Sequence, residues 1–152
     1  MTDSNQKSKI IEGLKEAYKK ELESVLNYLP NSINLDGLKA EELKEHLDSE
    51  VDDELGHAKK LANRIKDLGG DVPGSFEFHF SQKSLQPPQD NTDLKSVIQG
   101  VIEAEKDAIQ HYEHLINITD GVDHVTQDLV ITILEDEQNH LRVFSGFLKD
   151  FE

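Results

Sequence analysis

The chain has 152 residues, enough for one domain with a sizeable core, and carries 16 basic against 31 acidic residues. The resulting net charge of −15 opposes phosphate backbones and favours cations. The absence of cysteine excludes disulfides, thiolate zinc sites, iron–sulfur clusters and cysteine nucleophiles, so any metal must be held by carboxylates and imidazoles, a set suited to iron, manganese, zinc or calcium.

Residues 1–7 are polar and are expected to form a flexible N-terminus. Apolar residues then recur at Ile10, Leu14, Ala17, Leu22, Val25 and Leu29, the spacing of an amphipathic helix over Ser8–Leu29. A second helix is expected over Leu38–Leu68, carrying Leu43, Leu47, Val51, Leu61 and Ile65 and stopping at Gly69-Gly70. Residues 69–91 hold three of the four prolines and the alternating Phe76, Phe78 and Phe80. Such a loop fits a crossover: extended, it reaches about 75 Å, against roughly 40 Å for a helix of about 27 residues. Its phenylalanines are expected to lie against the helices as a packing or subunit-contact strip. A third helix starts at a Thr92-Asp93 cap and runs through Val97, Val101, Ile109 and Ile116, and a fourth runs from near Val122 to Phe151. These elements predict a single all-α domain over 1–152, a four-helix bundle with a long crossover between helices two and three. No run of about 20 apolar residues or signal-peptide core is present. A cytoplasmic protein without membrane contact is the expectation.

The fourth helix interrupts its apolar face with Glu137 and His140. Glu137-x-x-His140 has a twin in Glu54-x-x-His57, and an aspartate precedes each pair, Asp136 and Asp53. Residues three apart share a helix face, so each pair can reach one metal. One such pair in an acidic chain is weak evidence, because a solvated stripe looks the same. The order, however, repeats: Glu21 precedes Tyr28 by seven residues as Glu105 precedes Tyr112, and Glu21 to Glu54 spans 33 residues where Glu105 to Glu137 spans 32. If each glutamate pair sits level on antiparallel neighbours, turns are due midway, near residues 37 and 121, where Asp36-Gly37 and Asp120-Gly121 stand. The first helix must then continue past Pro30, kinked. Four buried carboxylates persist only if cations compensate them, and four carboxylates with two imidazoles suit two divalent ions. Asp136 and Asn139 are expected to face outward.

Through "ELESVLNY", "DDELGHAKKLANRIKDLGG", "EAEKDAIQHY" and "VTQDLVITILEDEQNHL", the chain resembles the ferritin-like superfamily over about residues 8–150. The likeness is to bacterioferritin and Dps-like iron-storage proteins. It implies a ferroxidase that oxidises Fe(II) with O2 or H2O2 and stores Fe(III) as mineral in an oligomeric cage. By the same resemblance, two iron ions per subunit are held by Glu21 and Glu105 as terminal ligands, Glu54 and Glu137 as bridges, and His57 and His140 as one imidazole each, with Tyr28 beside the site. Where bacterioferritins place a haem-ligating methionine this chain has Leu55, so no haem is expected. Twelve residues follow His140, too few for a fifth helix, which favours a 12-subunit cage. Lys7 and Lys9 are the only lysines near the N-terminus, and no DNA binding is expected.

Glu50 and Asp53 admit two readings, an inner-surface relay or nucleation patch and ordinary solvation. His111 and His114 are assigned surface or supporting roles, and His46, His79 and His124 fit no constellation. Among enzymes, the alternative is a rubrerythrin-like peroxidase or manganese catalase, although the lack of cysteine removes a rubredoxin-type donor. From another class, the alternative is a metal-binding helical oligomerisation module.

Overall fold

The computed structural model describes residues 3–152, and all the long elements among them are helices: α1 (Ser4–Asn34), α2 (Ala40–Asp67), α3 (Leu94–Thr119) and α4 (His124–Leu148). Short 3-10 turns occupy Ser75–Glu77 and Lys149–Phe151. Helix α1 begins at Ser4, earlier than the apolar periodicity indicates, because the Asp3 side chain accepts a hydrogen bond from the Gln6 amide and caps the first turn. Residues 4–7 are therefore helical, while Met1 and Thr2 lie outside the described residues.

Pro30 lies within α1, which continues to Asn34 as the hairpin geometry requires. Leu35 then turns extended, and Gly37 takes a φ of 108°, a conformation that a Cβ would disfavour. Helix α2 closes with a two-bond cap, Gly69 N–H to the Lys66 carbonyl and Gly70 N–H to that of Ile65, with Gly69 at φ 90°. Gly121, at φ 69°, makes the α3–α4 turn, and Asp93 and Asp123 cap α3 and α4 through the Ser96 and Thr126 amides. Arg64 on α2 donates to both Thr126 and Asp123, tying the end of α2 to the start of α4.

The crossover leaves α2 beside Lys7 at one end of the bundle and arrives at the other, where the Asp36 amide donates to the Asn91 carbonyl. Helices α2 and α3 therefore run parallel. On its way the crossover is pinned to α1: the Gln82 amide donates to Glu23 Oε2 at 2.6 Å and Asn31 Nδ2 to the Leu85 carbonyl at 2.8 Å. Leu85 is buried, and Gly100 of α3 lies against this strap so closely that a Cβ there would stand 2.0 Å from the Ser84 carbonyl oxygen. Of the three alternating phenylalanines, Phe78 packs on α1, its ring tilted against Tyr18 with centroids 5.8 Å apart. Phe80 leans on Phe78, and Phe76 is fully exposed. The expectation that all three line the bundle fails because the Ser75–Glu77 3-10 turn breaks the two-residue alternation and swings Phe76 outward.

The hairpins α1–α2 and α3–α4 each pack along their length, and α1 meets α3, with Gly13 fitted against Leu115. Helices α2 and α4 approach each other less closely. The apolar interior forms two clusters, one around Leu35, Leu47, Ile98, Val101 and Phe144 and the other around Ile10, Leu14, Leu61, Ile65 and Ile133. Between them every helix carries a buried glutamate: Glu21, Glu54, Glu105 and Glu137.

Candidate metal centre

Glu21, Glu54, His57, Glu105, Glu137 and His140 are all buried, the most exposed being His140 at 5%. Their donor atoms gather in two groups whose atoms lie within 4.8 Å of one another: Glu21, Glu54, His57 and Glu137 in one, and Glu50, Glu54, Glu105 and His140 in the other. Glu54 belongs to both. His57 Nδ1 stands 3.0 Å from Glu137 Oε1 and 3.5 Å from Glu21 Oε2. His140 Nδ1 stands 2.6 Å from Glu50 Oε2 and 3.7 Å from Glu105 Oε1.

The supporting contacts cross between the halves. The His57 Nε2–H donates to Asp136 at 2.8 Å, while His140 Nε2 faces Asp53 at 3.3 Å, so each imidazole is held by the aspartate of the other motif. Both carboxylates are about half exposed, so Asp136 does reach the outside, but it also does what its expected outward placement missed. With Nε2 held by an aspartate, Nδ1 faces the carboxylates, the arrangement by which supporting groups aim a histidine at a metal once the ring gives up its second proton. The tyrosines cross as well: the Tyr28 hydroxyl donates to Glu105 Oε1 at 2.7 Å and the Tyr112 hydroxyl to Glu21 Oε1. Glu21 and Glu105 thus each have one oxygen occupied and one left over.

Eight buried atoms of this cluster make no hydrogen bond: Glu21 Oε2, Glu50 Oε2, Glu54 Oε1, Glu105 Oε2, both oxygens of Glu137, and the two Nδ1 atoms. Some are close enough for one, as the 2.6 Å and 3.0 Å approaches show, but the angles are wrong. Atoms grouped around a common point instead of along one another's N–H directions form a ligand shell. Orphaned buried polar atoms are costly, at about 1–3 kcal/mol each, and cations placed among them would remove that cost. Carboxylate and imidazole donors in this ratio suit divalent iron, manganese or zinc.

Electrostatics agree. Burial, then the neighbouring Glu21 and Glu137, lifts Glu54 well above the usual carboxylate range, and burial with Glu21 and Glu105 does the same to Glu137. Burial would raise Glu105 as well, but the close approach of Glu137 and His140 and the hydrogen bond from Tyr28 outweigh it and lower this carboxyl. Burial opposes charge on the imidazoles, but Glu21 and Asp136 override it and raise His57 to about 9. Glu105 and Glu50 raise His140 to about 11. Burial and the adjacent carboxylates push Tyr28 and Tyr112 well up, keeping both as neutral donors. The centre holds cationic character wherever it can obtain it.

Of the remaining histidines, His111 donates from Nε2 to the Gly13 carbonyl at 2.8 Å, joining α3 to α1, and His114 stacks obliquely on it at 6.1 Å. His46 packs edge-on against Phe147. None belongs to either donor group.

A four-helix bundle whose polar middle layer gathers carboxylates and imidazoles from all four helices is a helical protein with a buried donor set that could hold metal ions. The ferritin-like domain family matches residues 11–152, and the chain belongs to it. Among similar proteins, a DNA protection during starvation protein of Pyrococcus furiosus is 30% identical over 115 residues, covering 74% of this chain and 62% of that protein, so the match spans under two thirds of the relative's length. A bacterioferritin of Desulfovibrio desulfuricans is 28% identical over 143 residues, covering 93% of this chain and 75% of the relative. Among solved structures, a ferritin-like diiron-carboxylate protein from Bacillus anthracis superposes with a TM-score of 0.84 at 25% identity, covering 96% of this chain and 99% of the other. The bacterioferritin of D. desulfuricans, solved with its diiron site in different catalytic states, superposes with a TM-score of 0.81 at 26% identity, covering 95% and 81%.

Proposed function

We propose that this protein is an iron-storage and detoxification protein that oxidises Fe(II) with O2 or H2O2 at a dinuclear centre inside each subunit and sequesters the Fe(III) as mineral in a cytoplasmic homo-oligomeric shell, with twelve subunits as the expected number. The observation that carries this reading is the gathering of eight unbonded, buried donor atoms from all four helices into two groups that share Glu54. Kinship with bacterioferritin supports it.

Fe(II) is the substrate, and two ions supply the two electrons that reduce one H2O2 to water or one O2 to H2O2. The chain supplies everything else. Glu54, common to both donor groups, would lie between the two ions, whereas Glu137, which the family resemblance would make a second bridge, falls in the His57 group alone. Glu21 and Glu105 each present the oxygen that the tyrosines leave over, as terminal ligands. Asp136 and Asp53 hold the imidazoles so that Nδ1 faces inward. The residues carrying the chemistry are Glu21, Glu54, His57, Glu105, Glu137 and His140, with Tyr28 supporting. Leu55, partly exposed on α2, offers no atom to a haem iron.

Aerobic addition of Fe(II) followed by visible absorbance, then sedimentation with iron analysis, tests the proposal. Oxidation well above the buffer rate and iron retained in a large particle are expected. Glu54→Gln should slow the fast phase by at least about tenfold, the scale on which metal sites respond to loss of an anchoring group. A small particle oxidising iron no faster than buffer would refute the proposal.

A further inference from the structure

The centre's two halves correspond residue for residue: Glu21 with Glu105, Tyr28 with Tyr112, Asp53 with Asp136, Glu54 with Glu137, and His57 with His140. The correspondence breaks at one buried position beside the site. Four residues before Glu54, one helical turn away on the same face, stands Glu50; four before Glu137 stands Ile133. Both side chains are buried, at 6% and 1% exposure. Ile133 joins the apolar cluster, whereas Glu50 joins the donor group on the His140 side, its Oε2 2.6 Å from His140 Nδ1 and without a hydrogen bond. Glu137, by contrast, belongs to the His57 group, its Oε1 3.0 Å from His57 Nδ1.

Building on the dinuclear reading above, the geometry points to Glu50 as a seventh metal ligand serving only the position beside His140. A strictly two-fold centre would share both Glu54 and Glu137 between its ions. Here Glu54 alone is common to the two groups, and Glu50 supplies on the His140 side the third carboxylate that Glu137 supplies on the His57 side. The two positions therefore depend on different residues. With Glu50 the layer contains five carboxylates, one more negative charge than two divalent ions neutralise, and that excess sits beside His140. It favours an ion of higher charge at this position, the form in which oxidised iron would be retained or passed on.

Co(II), which is not oxidised under these conditions and reports its coordination by visible absorption, is the probe. Titrated into the whole protein, it should fill two positions per chain. Glu50→Gln keeps the shape of the side chain, and one Co(II) should bind as before while the other weakens about tenfold or more. Glu50→Asp, which keeps the charge but withdraws it by one methylene, should show the same selective loss. In a His57→Ala background the Glu50→Gln change should weaken the remaining ion, and in a His140→Ala background it should not. Two unaltered binding steps in both Glu50 variants, or equal weakening of both ions, would overturn the assignment of Glu50 as a ligand of one side. A wild-type chain that binds fewer than two Co(II) would overturn the dinuclear reading and this inference with it.

Discussion

Glu137 is wholly buried and neither of its oxygens makes a hydrogen bond, which makes it a residue that stability alone would not retain. Glu137→Leu removes both orphaned oxygens and extends the apolar cluster that contains Ile133. An unpaired buried acceptor costs about 1–3 kcal/mol, and removing this carboxyl should leave a net gain of about 2 kcal/mol, since His57 keeps Glu21 and Asp136 as partners. For a chain of this size, roughly 3 °C per kcal/mol places the chelator-treated variant about 6 °C above chelator-treated wild type in melting temperature. Zn(II) reverses the order. Two positions each filled at a hundredfold excess over Kd contribute about 2.7 kcal/mol apiece, so wild type should rise by roughly 15 °C. The variant, with the His57 group broken, should gain half of that or less. Scanning calorimetry at fixed protein concentration, with EDTA and then with Zn(II), measures all four values. A chelator-treated variant that melts below wild type, or equal Zn(II) increments in both proteins, would refute the claim that this carboxylate is kept for an ion.

Two further outcomes follow from particular contacts. With protons as the compensating charges, His57 and His140 titrate at about 9 and about 11 and are cationic at neutral pH, yet each must be neutral to ligate. Metal loading at pH 7 should therefore release about two protons per ion pair, or more if Glu54 and Glu137 also contribute, and affinity should fall as pH falls. A pH indicator in weakly buffered Zn(II) titrations reads this directly, and fewer than one proton released would contradict it. Gly100→Ala places a Cβ 2.0 Å from the Ser84 carbonyl, a backbone atom that cannot turn aside. The crossover must lift there, at a cost of about 1–3 kcal/mol in urea unfolding with metal stoichiometry unchanged, and an unaltered unfolding midpoint would show that the strap is not seated on α3.

Much of the site can be read from the residues because the chain contains its own control. Glu21, Glu54 and His57 in one half have counterparts in Glu105, Glu137 and His140 in the other, and the offsets that align the glutamates also locate the turns at Gly37 and Gly121, both of which adopt positive φ. Comparison of the halves also explains what is missed. Glu50 has no counterpart, so an internal repeat cannot nominate it. Only the turn-by-turn spacing from Glu54 places it on the same face, and spacing alone does not separate a ligand from a solvated acid. Asp53 and Asp136 were visible as a matched pair, but their role depends on two helices packing so that each reaches across to the other's histidine. Tyr112 was visible in the same way, at the same seven-residue step as Tyr28. The start of α1 eluded the hydrophobic pattern because its first turn has no apolar residue; the signal there is the Asp3 cap. Phe76 eluded it for the opposite reason: a regular alternation continued on paper through a turn that the backbone does not continue.

The division of the interior has a consequence for how the molecule loosens. Helices in most bundles fray from their ends inward, and amide exchange is slowest at mid-length. Here the two apolar clusters grip the ends, and the middle of all four helices is a buried layer in which carboxylates outnumber imidazoles. Protection of the amides around Glu21, Glu54, Glu105 and Glu137 should thus depend on ions held there more than on the chain itself. A chain stripped of metal should be weakest at its waist, so that an ion taken up there would complete the fold as well as the site.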